Sequence, residues 1–125
     1  MTYLDTHAAV WLRFGDRTAF DRRSRIALEA DDEILISPMV VFELQVLFEK
    51  KRVDHRPEVI VRDLAAFGGV RICDFPFRLI VEKALTEDWT RDPFDRIIAA
   101  HARARSATLI THDALILEHY DLAVW

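Results

Sequence analysis

Apolar residues in this chain fall either into runs of three or four or into longer stretches where they recur every three or four positions. The runs Thr2–Asp5, Glu33–Ile36, Val70–Cys73 and Ala107–Ile110 read as short buried strands. The stretches between them read as helices: Ala8 through Leu12, Arg17–Ala30, Ser37–Lys51, Pro57–Phe67, Phe77–Leu85, Asp92 through Arg103 or Arg105, and Ala114–Glu118. Leu122–Trp125 reads as an edge strand. Ser37-Pro38 marks a helix start, since serine accepts a backbone hydrogen bond at the N-cap and proline needs no N–H partner at the first helical position. Asp92-Pro93 repeats the device, and Gly68-Gly69 breaks the chain. Short strands alternating with helices predict an α/β domain with a mostly parallel sheet, because parallel strands need crossover connections.

Composition narrows the class without naming a chemistry. A length of 125 residues, 51% of them hydrophobic and 30% charged, suits one domain able to bury a core without disulfides or a structural metal. The chain lacks a long apolar run and a basic, apolar leader, so a soluble, cytoplasmic protein with no membrane partner is expected. Cys73 is the sole cysteine and reads as a small buried residue of a strand, which excludes a zinc site built on Cys pairs. The net charge of −4 weighs against nucleic acid. Three local basic groups weigh mildly the other way: Arg22, Arg23 and Arg25; Lys50, Lys51 and Arg52; Arg103 and Arg105.

The candidate chemistry lies in the acids. In an open parallel sheet a ligand site forms beyond the carboxyl ends of the strands, which singles out Asp5 and Asp113. Each also fits an N-cap, as does Asp92. Capping accounts for Asp95 only loosely. Glu43 has Met39, Val40, Val46 and Leu47 three and four positions away, so its carboxylate lies on an apolar stripe and needs a cation, a hydrogen-bond partner or a solvent-filled cleft. If these acids converge, two unit charges about 4 Å apart repel by roughly 4 kcal/mol at an effective dielectric near 20. A divalent cation offsets that, and all-oxygen ligands favour Mg²⁺ or Mn²⁺. The residue types support metal-assisted phosphodiester hydrolysis, although spacing alone does not establish convergence.

Other chemistries have less support. His7, His55, His101, His112 and His119 form no metal pair at helical spacing and read as surface or capping residues. There is no Gly-rich phosphate loop, no Gly-x-Ser-x-Gly elbow and no EF-hand spacing. Trp11, Phe42, Phe48, Phe67 and Phe75 sit among apolar neighbours and read as core in preference to base-stacking residues.

The ordered set Leu4-Asp5-Thr6-His7, Ser37 to Glu43-Leu44, Arg91-Asp92-Pro93-Phe94-Asp95-Arg96 and Leu109-Ile110-Thr111-His112-Asp113 resembles a PIN domain, and most of all the VapC toxins of type II toxin–antitoxin modules. The resemblance covers essentially the whole chain. It implies a single PIN-like domain with a roughly five-stranded sheet flanked by helices. It further implies Mg²⁺- or Mn²⁺-dependent cleavage of RNA at Asp5, Glu43, Asp95 and Asp113, with Asp92 as an accessory metal ligand. Thr6, Ser37 and Thr111 match hydroxyl positions beside the acids, and a homodimer neutralised by a cognate antitoxin is implied as well. Val40 departs from the pattern, standing where related sequences often carry a small hydroxyl residue. Two other readings stay open at this point: a non-catalytic PIN-like module binding RNA or protein, and a phosphate-ester hydrolase acting on small molecules. Attack by water does not require a 2′-hydroxyl, so single-stranded DNA also stays open as a substrate.

Overall fold

Strand β1 (Thr2–Leu4) lies at the centre of the sheet, and all three of its residues are buried. A computed structural model of the chain describes residues 1–30 and 33–125. After β1 the chain forms α1 (Thr6–Phe14), a short 3-10 turn at Arg17–Ala19, and α2 (Arg22–Ala30). Strand β2 (Ile34–Ile36) follows, then α3 (Pro38–Glu49), α4 (Pro57–Gly68), β3 (Val70–Ile72) and α5 (Phe77–Ala84). The remainder is α6 (Pro93–Ala104), β4 (Thr108–Ile110), α7 (Ala114–His119) and β5 (Ala123–Val124).

The five strands pair in the order β3-β2-β1-β4-β5, and every pairing is parallel. From β1 the chain builds outward to β2 and β3, then crosses back to add β4 and β5 on the other side. The order therefore reverses between β1 and β4, which is where open α/β sheets leave a crevice at their carboxyl ends. Tyr3, Leu4, Leu35, Ile36, Leu109 and Ile110 form the middle of the core, and Leu44, Ile60, Ile98 and Ile116 of the helices close over them. Among the described residues no helix is long and apolar enough to cross a membrane.

Several expectations need correction. The helix expected over Arg17–Ala30 is broken at Phe20, whose backbone is extended and whose ring is buried against Trp125. Burying that ring outweighs one turn of helix, and the helix restarts where the Asp21 carboxylate accepts from Arg22 N at 2.7 Å. Cys73 lies one residue beyond β3, buried, its sulfur 2.8 Å from the Tyr3 hydroxyl. Of the aromatic residues read as core, Phe67 is 80% exposed, Phe42 58% and Trp11 43%. Their helices bury a stripe narrower than their apolar sequences suggest. His101 is no surface residue: it is buried beside Tyr3, and burial pushes its pKa down to about 4.

The basic groups are also differently placed. Lys50–Arg52 and Arg103–Arg105 stand at the C-terminal ends of α3 and α6, about 18 Å along each helix from the ends that follow β2 and Asp92. Arg103 is bound to the buried Glu87 and to the His119 carbonyl at 2.8 Å, and Arg105 to the Tyr3 hydroxyl at 3.4 Å. These two arginines fasten the fold instead of offering a free phosphate surface.

Candidate active site

Asp5 follows β1 directly and Thr111 follows β4, so the pairing of Leu4 with Ile110 sets them side by side at the crevice. Asp5 N donates to the Ile110 carbonyl at 3.0 Å. Its Oδ1 caps α1 by accepting from Ala8 N at 2.7 Å, and its Oδ2 accepts the Thr111 hydroxyl. The same Thr111 oxygen accepts from Asp113 N at 3.0 Å, while Asp113 Oδ1 caps α7 by accepting from Ile116 N at 3.0 Å. One buried hydroxyl therefore ties the two strand-end acids together. Burial pushes the Asp5 carboxyl up, opposed by its hydrogen bonds from Thr111 and Ala8.

Glu43 arrives from the second turn of α3, half-buried, and its Oε1 accepts the hydroxyl of buried Thr6. No arginine pairs with it among the described residues. Val40 points into the core and is fully buried, so the missing hydroxyl at that position is not replaced there: Thr6 supplies the hydroxyl from α1. Ser37 serves as the N-cap of α3, its Oγ accepting from Met39 N at 3.0 Å, and does not line the cleft.

Asp92 caps α6 by accepting from Asp95 N at 3.0 Å, and its own N–H is held by Thr90 Oγ1 at 3.1 Å. This copies the Thr111–Asp113 arrangement: a threonine two residues before the acid fixes the turn from which it caps a helix. The sequence reading missed Thr90, although the shared Thr-x-Asp spacing before both helices is visible in it. Asp95 differs from the capping acids, since its carboxylate makes no hydrogen bond or ion pair among the described residues. Its pKa is pushed up to about 7, first by burial and then by Asp92, Asp113, Glu43 and Asp5 in that order. Repulsion from four carboxylates at one carboxyl places the acids near one another, and all five line a common space.

That space is a cleft of about 430 Å³ lined by the five acids and Thr6, with His7, Trp11, Ile98, His112 and Trp125 completing its walls. Among the described residues no lysine or arginine lines it. Among the described residues no three His, Cys, Asp or Glu side chains are grouped to hold a metal ion by themselves. Five carboxylates outnumber the two imidazoles, of His7 and His112, that also line the cleft, and an oxygen-rich set of this kind suits hard cations. Trp11 and Trp125 were not foreseen as cleft residues. The signal for Trp11 was its place one turn after His7 on the helix that Asp5 caps.

Acids at the β1–β4 crevice of a parallel sheet in this order fit a metal-dependent nuclease fold, and the sequence identifies which: the chain belongs to the PIN domain family over residues 2–121. Among solved structures it is similar to a toxin–antitoxin complex from Klebsiella pneumoniae, with 23% identity, a TM-score of 0.65, and coverage of 100% of this chain and 97% of that one. It is likewise similar to VapBC2 from Rickettsia felis bound to a promoter DNA fragment, at 22% identity and a TM-score of 0.65, covering 100% of this chain and 98% of that chain. A third is VapC20 of Mycobacterium tuberculosis, a toxin that cleaves the sarcin-ricin loop, at 19% identity and a TM-score of 0.62, covering 96% of this chain and 95% of that one. At these identities the likeness shows the shared fold. No curated protein matches the sequence.

Proposed function

We propose that this chain is a Mg²⁺- or Mn²⁺-dependent endoribonuclease acting as the toxin of a type II toxin–antitoxin pair. The observation that carries this reading is the convergence of five carboxylates on one crevice of a PIN domain, where burial and then the other four acids push the Asp95 carboxyl up. Five acids in one cleft with no lysine or arginine among the described residues are costly to ionise together, and a site that accepts this cost has use for a divalent ion. Asp5, Glu43, Asp95 and Asp113 are the proposed catalytic acids and would hold the ion, with Asp92 as an accessory ligand. When bound, the ion supplies polarisation of the phosphoryl group and acidification of the attacking water.

The chain's own groups do the positioning. Thr6 fixes one oxygen of Glu43 and so sets the direction of the other, while Asp5 is held at both oxygens, by Ala8 N and by Thr111. Asp95, of which only the backbone N–H is engaged in a cap among the described residues, keeps both carboxylate oxygens free to hold the ion or to accept a proton.

The partner proposal follows from the neighbours, several of which are complexes with an antitoxin. A homodimer neutralised by a co-encoded antitoxin is the corresponding assembly here. An arginine of that partner fits the cleft, because its fork of donors binds carboxylate oxygens in pairs and replaces charge otherwise supplied by metal.

The test is cleavage of labelled RNA by purified protein with Mg²⁺ or Mn²⁺, with EDTA, and with mononucleotide esters as competing substrates. RNA cleavage abolished by EDTA and by Asp5→Asn or Asp95→Asn is expected, as is growth arrest on expression that a co-expressed antitoxin relieves. Undiminished cleavage in EDTA, or hydrolysis confined to small esters, sinks the reading.

A further inference from the structure

The cleft has an aromatic wall that hydrolysis by the acids leaves unused. Trp11 lines it and stays 43% exposed. Its ring is nevertheless tightly placed. Trp125 meets it at 89° with centroids 6.1 Å apart, and Trp125 is itself anchored by buried Phe20 at 5.0 Å and by His112 at 4.7 Å. A Cβ at Gly15 would stand 3.1 Å from Trp11 Cε3 and 2.8 Å from the Trp11 carbonyl oxygen, so glycine is what lets the end of α1 close onto that residue. A fixed, exposed indole at the mouth of a cleft is a ready surface for a flat partner, since little side-chain freedom remains to be lost on contact.

The charge pattern says which flat partner. Among the described residues the cleft contains five carboxylates and no lysine or arginine, so a phosphate there gains no affinity from a permanently charged side-chain cation. Base stacking on an aromatic ring supplies affinity independent of phosphate charge, and tolerates any base because each has a π-face. We propose that Trp11, backed by Trp125, is the stacking platform for one unpaired base next to the phosphodiester held at the acids. This rests on the nuclease reading above and specifies its substrate: RNA with a base free to leave its own stack, in a single strand or a loop.

The test uses a fluorescein-labelled twelve-nucleotide single-stranded RNA and a set of copies carrying one abasic ribose at each position in turn. Wild-type protein is expected to lose about tenfold in kcat/KM at one abasic position beside the cleaved bond, the loss lying in KM. Trp11→Ala should lose a similar factor on intact RNA and nothing further on that abasic copy, while Trp11→Phe recovers most of the activity. Additive losses from variant and abasic site, or an unchanged KM in Trp11→Ala, overturn the platform while leaving the nuclease reading standing. The abasic series on wild-type protein holds even if a variant folds poorly. If the protein cleaves no RNA, the nuclease reading fails separately, and fluorescence anisotropy with the same oligonucleotides decides the platform. A tenfold abasic loss of affinity that disappears in Trp11→Ala supports it; equal affinities, or no binding, overturn it.

Discussion

Asp95 is the residue at which stability and activity pull in opposite directions. Its folded pKa of about 7 exceeds the ordinary value of 3.8, so between those values the folded chain holds a proton that the unfolded chain has released. This contribution therefore favours folding less and less as pH rises from about 4 to about 7, and the loss persists above that. Asp95→Asn should raise the melting temperature by several degrees at pH 8 and leave it nearly unchanged at pH 4, while abolishing RNA cleavage. The gain is set at about 1 kcal/mol, discounted because the carboxyl is only partly buried and because an acid in the first turn favours a helix. Equal shifts at both pH values would assign Asp95 a role unrelated to charge. Thr111 makes the opposite case, since its buried hydroxyl donates to Asp5 and accepts from Asp113 N. Thr111→Val should cost about 1–3 kcal/mol in chemical denaturation and reduce cleavage, with Thr111→Ser close to wild type. Wild-type stability in Thr111→Val would show the two bonds to be expendable.

At the scale of the element, one geometry serves two purposes. Asp5, Asp92 and Asp113 each cap the helix that follows and each face the cleft. Asparagine caps about as well as aspartate, so Asp→Asn removes the charge and keeps the cap, whereas Asp→Ala removes both. Asp113→Asn should lose activity with a melting temperature at or above wild type. Asp113→Ala should lose activity and about 1 kcal/mol of stability as well. Two variants equal in stability would show that the bond to Ile116 N does not hold α7.

Across the whole molecule, proton and metal compete for the same carboxyls. A divalent ion needs Asp95 ionised, so Mn²⁺ affinity should strengthen as pH rises from 6 to 8, with protons released on binding. Calorimetry in two buffers of different ionisation enthalpy measures that release, and a pH-independent affinity without it would place the ion elsewhere. An antitoxin arginine seated among the acids should weaken Mn²⁺ binding. Unchanged metal affinity at saturating antitoxin would mean that inhibition works by covering another surface.

Much of this was legible in the chain because the forces concerned are short-range. Apolar runs and helical spacing located all five strands and most helices, and Ser37-Pro38 and Asp92-Pro93 announced two helix starts through capping bonds that span three residues or fewer. The acids stood out for a similar reason, Glu43 by its apolar neighbours and Asp5 and Asp113 by following strands. What local pattern could not reach depends on long-range register. The order β3-β2-β1-β4-β5 alone brings residue 5 against residue 111 and turns α3 and α6 so that five separated carboxylates act on one another. The break at Phe20, the exposure of Trp11 and the pairing of Glu43 with Thr6 belong to the same class. Each was settled by which surface the neighbouring element covers, a competition for burial that no window of the sequence contains.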